Sequence, residues 1–140
     1  MRMRKIAFLF LIILASSCEE DSAVNSLSGQ WRLVHYYNLE TSSTTSAPAD
    51  LAKSITLNFS DDGLKGTFIG HTLSNPVSGR YEITKPGKIL ISTEQKVMDE
   101  NDLDKIVLQG LSYANAYKVS NYSLNLYFNQ SKEVLIFVRL

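Results

Sequence analysis

Period-two alternation, recurring in short runs that each end on a turn signal, constrains this chain more than any other feature of its sequence. Ile55, Leu57 and Phe59 alternate with Ser54, Thr56 and Asn58, and Leu124, Leu126 and Phe128 alternate with Ser123, Asn125 and Tyr127. Successive side chains of a strand point to opposite faces, so each run buries one face and wets the other. Asp61-Asp62-Gly63 turns the chain back through residues 64–69 as a hairpin. Lys85-Pro86-Gly87 joins residues 80–84 to 88–93, and residues 129–132 lead into 134–140. Strand formers also run over 31–37. Gly66 and Gly70 are expected where the sheet curls or backbones approach closely. Residues 40–49, rich in Ser, Thr and Pro, and residues 71–78 are expected as loops. Seven or eight strands at this spacing predict a mainly β sandwich or barrel.

One segment has a different period. Leu103, Ile106, Val107, Gly110, Leu111 and Ala114 recur at helical spacing, which predicts one amphipathic helix over roughly 100–112. Asn101 is the expected N-cap, and Asp102 and Asp104 fall in the first turn, where the helix dipole favours acids. The expected inward set is bulky: Trp31, Leu33, Ile55, Leu57, Phe59 and Phe68 from the first half, then Tyr81, Ile83, Ile89, Ile91, Leu124, Leu126 and Phe128. Such side chains fill a small barrel and leave little room for a ligand.

The N-terminus sets a location. Arg2, Arg4 and Lys5 precede an apolar run of ten residues, 6–15, followed by Ser16-Ser17-Cys18 and the acids Glu19-Glu20-Asp21. A spanning helix needs about 20 apolar residues, so this run is too short to be one. A basic start, a short apolar run and small residues before a cut site describe a secretory signal. Because the small residues end on a cysteine, the segment resembles a bacterial lipoprotein signal peptide, although Ala15 stands where Leu is usual. The chain then divides into a signal at 1–17, an acidic polar tether at 18–26 and a folded domain at 27–140. What this implies is acylation at Cys18, a membrane partner through its acyl chains, and an outer-membrane location whose face is undecided between periplasm and cell surface. The acids after Cys18 resemble a surface-export signal and also suit a solvated spacer.

Charge and cysteine count narrow the chemistry. Without the signal the chain has 11 basic and 14 acidic residues, and the three tether acids account for the imbalance. A neutral folded domain carries no electrostatic footprint for nucleic acid. Cys18 is the only cysteine, so once acylated it leaves no disulfide and no thiolate. His35 and His71 lack companions at zinc-ligand spacing, and the acids at 99–104 lack the glycine of a calcium loop. No nucleophile elbow appears. No metal, cofactor or catalytic residue is expected, and the protein is expected to be a monomeric non-enzyme that meets envelope or extracellular proteins. The tyrosines Tyr36, Tyr37, Tyr113, Tyr117, Tyr122 and Tyr127 suit either a contact surface or girdles at the barrel ends.

Four pieces of sequence together resemble the META domain family, small domains known from heat-inducible and other bacterial lipoproteins. They are Gly29-x-Trp31-x-Leu33, then Asn75-x-x-x-Gly79-x-Tyr81, then Thr93 ahead of Asp99-Glu100, and finally Leu124-x-Leu126-Tyr127-Phe128 with residues 134–137. The resemblance implies a small antiparallel, lipocalin-like barrel of about seven to eight strands with the helix packed against it. It implies structural roles for Trp31, Asn75, Gly79 and Tyr81. The cysteine pair usual in the family is missing, with Ser74 at the first place and none over 96–98. The fold comes with no fixed activity. A lipid-anchored interaction or envelope-stress module is the expected function; the alternative is a carrier of a small apolar ligand.

Overall fold

The computed structural model describes residues 26–61, 63–94 and 101–140. The signal at 1–17, Cys18, the tether up to residue 25, Asp62 and the segment 95–100 lie outside the described residues. In chain order the elements are β1 (Gly29–Asn38), β2 (Ser43–Ser46), a 3-10 turn (Leu51–Lys53), β3 (Thr56–Asp61), β4 (Lys65–His71), β5 (Pro76–Lys85), β6 (Lys88–Thr93), α1 (Asp102–Tyr113), β7 (Ala116–Val119), β8 (Ser123–Phe128) and β9 (Glu133–Arg139). Consecutive strands pair antiparallel from β3 to β9, and β1 pairs with both β3 and β9. That closes an eight-stranded barrel, with β2 as a ninth strand outside the ring.

The first return strand is broken. β2 pairs with the second half of β1 (His35 opposite Ser46), and β3 pairs with the first half of the same edge (Trp31 opposite Leu57). Residues 48–53 bulge out between the two, held where Ala47 N donates to the Val34 carbonyl at 2.9 Å and Leu33 N to that of Ile55 at 2.9 Å. Residues 40–49 are therefore not wholly a loop. Their β2 segment is exposed at every residue and has no apolar alternation to reveal it. The expected loop over 71–78 is likewise shorter. β4 runs to His71 and β5 starts at Pro76, with Thr72 N donating to the Asn75 carbonyl at 2.8 Å across a tight turn. β7 has no counterpart in the sequence reading, because its four residues, none of them buried, are too few to show a period.

The core is the barrel interior. The expected inward residues are buried except Ile83, which is half-buried against the cluster. Val77, Leu135 and Phe137 join them from the strands, Val107 and Leu111 from α1, and Leu27 from just before β1. Two inward-facing glycines accommodate rings: Gly66 stands opposite Tyr81, and Gly79 opposite Phe68. A Cβ at Gly79 would run into the Ser92 carbonyl and the Phe68 ring, and one at Gly66 into the Ser60 carbonyl and Tyr81. Phe59 completes the cluster, 5.4 Å from the Phe68 ring and 5.3 Å from that of Tyr81.

α1 closes one end. It packs against β6, β8 and β9, with Gly110 close to Leu135 and Phe128. Asn101 caps it, its side chain accepting from Asp104 N at 2.9 Å. Asp104, wholly buried, reaches over to the β4–β5 turn and accepts from Leu73 N at 2.8 Å and Ser74 N at 2.9 Å. The ring is thinnest beside the helix, since β6 and β7 share one register pair, Lys88 opposite Ala116.

Candidate functional site

Among the described residues no α-helix covers the end of the barrel away from α1, hereafter the open end. Here lie the β3–β4 turn, the β5–β6 turn, the β7–β8 turn and the start of β1. The chain is fastened as it enters this end: Ser26 Oγ donates to Asp61 Oδ2 at 2.6 Å, and Trp31 Nε1 donates to the Leu27 carbonyl at 2.9 Å. Arg139, on the last strand, lies 4.2 Å from the centre of the Trp31 ring. Its guanidinium also donates to the carbonyls of Ser28 at 2.9 Å and Asn121 at 3.0 Å. One cation thus ties the N-terminal segment, β9 and the β7–β8 turn together.

Beside the Ser26–Asp61 fastening is a recess of about 740 Å³ that opens to solvent. Leu64 of the β3–β4 turn, Ile83 and Pro86 from around the end of β5, and Tyr117 and Val119 of β7 give it apolar walls. Asp61, Lys85 and Lys118 add charge at its edge. Tyr117 N donates to the Gly87 carbonyl at 3.0 Å, which joins the β7 wall to the β5–β6 turn. A second, smaller groove of about 330 Å³ runs along the outer wall past Gln30, Ile69, His71 and Leu140.

The residues singled out from sequence are spread through the molecule. Trp31, Gly79 and Tyr81 belong to the interior, and Asn75 belongs to the β4–β5 turn at the helix end. His35 bonds Ser46 Oγ at 3.3 Å, and His71 bonds Thr56 Oγ1 at 3.0 Å and the Thr72 carbonyl at 3.2 Å. Among the described residues, no group of three or more His, Cys, Asp or Glu side chains could hold a metal ion. The tyrosines form no single surface: Tyr36 is buried, Tyr113 ends α1 and Tyr122 is exposed at the β7–β8 turn. The recess residues Leu64, Lys85, Tyr117 and Lys118 were not legible as a site. Their nearest signal was the Lys85-Pro86-Gly87 turn, which marks a reversal of the chain and nothing about its neighbours in space.

A family model, the META domain, matches residues 22–140. The chain belongs to the META domain family. The resemblance drawn from the four sequence pieces is thereby shown, and so is the barrel it implied. No curated protein matches the chain. Among solved structures, this META domain is similar to a protein from Burkholderia xenovorans determined by NMR, with a TM-score of 0.66 and 18% identity over 86% of this chain and 88% of that one. It is also similar to a DUF4847-family protein from Bacteroides vulgatus in a 1.00 Å crystal structure, with a TM-score of 0.61 and 17% identity over 79% of this chain and 92% of that one. At such identities the likeness is one of fold.

Proposed function

We propose that this META domain is a lipid-anchored, non-enzymatic module of the bacterial envelope, bound to the outer membrane through acyl chains on Cys18 and working through contacts at its open end. The observation that carries this reading is where the chain enters the barrel. Ser26 is fastened at the rim of the open end, and Cys18 lies eight residues upstream. At the limit of extension those residues span about 29 Å, so an anchor at Cys18 keeps the open end near the lipid. One acyl chain holds a protein only marginally, whereas a diacylglyceryl group with an N-acyl chain is a lasting anchor.

Mass spectrometry of the protein extracted from membranes tests the anchor. The expected product begins at Cys18 and carries the mass of the acyl groups, and Cys18→Ala releases the protein from the membrane fraction. An uncut leader, or unchanged membrane association of the Cys18→Ala protein, contradicts the reading. Protease treatment of intact cells then reports the face of the membrane.

The recess supports a second reading, in which the domain carries a small apolar ligand. Its volume falls in the range of small-molecule sites, roughly 300–1,000 Å³. With the interior filled, such a ligand would lie at the mouth of the barrel.

A further inference from the structure

We infer that the recess binds a single-chain anionic amphiphile, with the chain along Leu64, Ile83, Tyr117 and Val119 and the charged head between Lys85 and Lys118. This rests on the carrier reading and gives its ligand a chemical class. The walls come from three separate elements, so apolar surface that would be unremarkable as single exposed residues becomes one concave face. Leu64 is 65% exposed, a large apolar side chain left to solvent at the recess edge. Beneath the mouth the rings of Phe59 and Tyr81 meet edge to face at 5.3 Å. A chain therefore lies across the mouth and does not thread the barrel.

Charge selects the head. The recess acid, Asp61, keeps its charge while accepting the Ser26 hydroxyl, so the lining sets two ammoniums against one carboxylate. Lys85 and Lys118 line the same recess, and neither forms an ion pair with a described residue. Lysine lays its aliphatic stem along apolar surface and keeps its ammonium in water. Two such ammoniums at the edge of an apolar trough suit a carboxylate or phosphate, through charge-assisted hydrogen bonds. A neutral amphiphile gains the walls alone, and a cationic one meets like charge. The position of Ser26 on the same rim turns the recess toward the end at which the proposed anchor lies, where amphiphiles are concentrated.

The test uses the full-length protein in bacterial membranes and photoactivatable probes of equal chain length: a fatty acid, a monoacyl phosphate and the neutral alcohol. Labelled peptides are mapped by mass spectrometry. Anionic probes are expected to label residues around Leu64, 83–87 and 117–119 roughly tenfold more than the alcohol does. The double variant Lys85→Gln, Lys118→Gln is expected to bring them down to the alcohol's level, and Lys85→Glu, Lys118→Glu to go at least as far. Lys53→Glu, outside the recess, should leave labelling unchanged. The ratio of acid to phosphate labelling identifies which head is preferred. Equal labelling of the recess by all probes, unaffected by either double variant, overturns the anionic assignment while sparing the carrier reading. No labelling of the recess by any probe overturns both.

Discussion

Tyr36 faces inward because of one extra residue in β1. Opposite β9, the register steps between Leu33 and His35, so Val34 is a bulge. Trp31 and Leu33 point in, and after the bulge the inward position passes to Tyr36 while His35 turns out toward Ser46. Bulges re-aim the residues that follow them, which is why strict alternation from Trp31 does not single out Tyr36 as buried. Its hydroxyl donates to Glu133 Oε1, and Glu133 Oε2 accepts from Asn129 Nδ2 at 2.9 Å. Burial, and then the hydrogen bond to Glu133, push the Tyr36 phenol from 10.0 up to about 12. A pKa raised on folding contributes stability that is complete below the unfolded value and is lost as pH rises through the folded one. Between pH 10 and about 12 the loss should approach about 1.4 kcal/mol per pH unit. Urea denaturation of the wild type against Tyr36→Phe checks this. The gap between the two is expected to shrink over that window, and a constant gap would refute it.

At the scale of elements, one carboxylate ties α1 to the β4–β5 turn. Asp104 reads in sequence as an ordinary first-turn acid complementing the helix dipole. In the structure it is wholly buried and satisfies two backbone N–H groups thirty residues away in the chain. Asp104→Ala removes the acceptor of both N–H groups, which belong to the exposed residues Leu73 and Ser74, and is expected to cost roughly 1–3 kcal/mol. Asp104→Asn keeps one acceptor oxygen and should cost about half as much. Chemical denaturation measures both, and equal, small losses would show that the turn finds other partners. The contrast defines what was legible. Elements whose apolar residues meet the core directly, β3, β5, β6, β8 and α1, announce themselves through their period. β2 does not, because it pairs through its backbone while every side chain is exposed. β7 is four residues long and none of them is buried, which leaves no period to count. The recess was invisible for a related reason: its walls come from three turns and strand ends brought together only by closure of the ring.

At the scale of the whole molecule, closure depends on the last strand. β9 pairs with β8 on one side and with β1 over nearly its full length on the other. It also places Leu135 and Phe137, both fully buried, in the core. Losing a core Leu or Phe typically costs about 2–5 kcal/mol each, against a total stability for a domain of about 5–15 kcal/mol. A chain ending at residue 132 should therefore show no cooperative unfolding by circular dichroism and should self-associate through the uncovered edges of β1 and β8. Removing Leu140 alone, which is 53% exposed, should cost about 1 kcal/mol or less. A cooperative, monomeric protein ending at residue 132 would place the stability elsewhere, in the β3–β6 meander.

The double-sided pairing of β1 has a mechanical corollary. A force transmitted through the residues before Ser26 and directed along β1 meets hydrogen-bonded partners on both flanks, β9 on one and β3 followed by β2 on the other. Such a load is shared among many bonds in shear and does not peel them apart in sequence. A domain pulled from its N-terminal side in that direction would yield late, and its mouth would keep its shape while under tension.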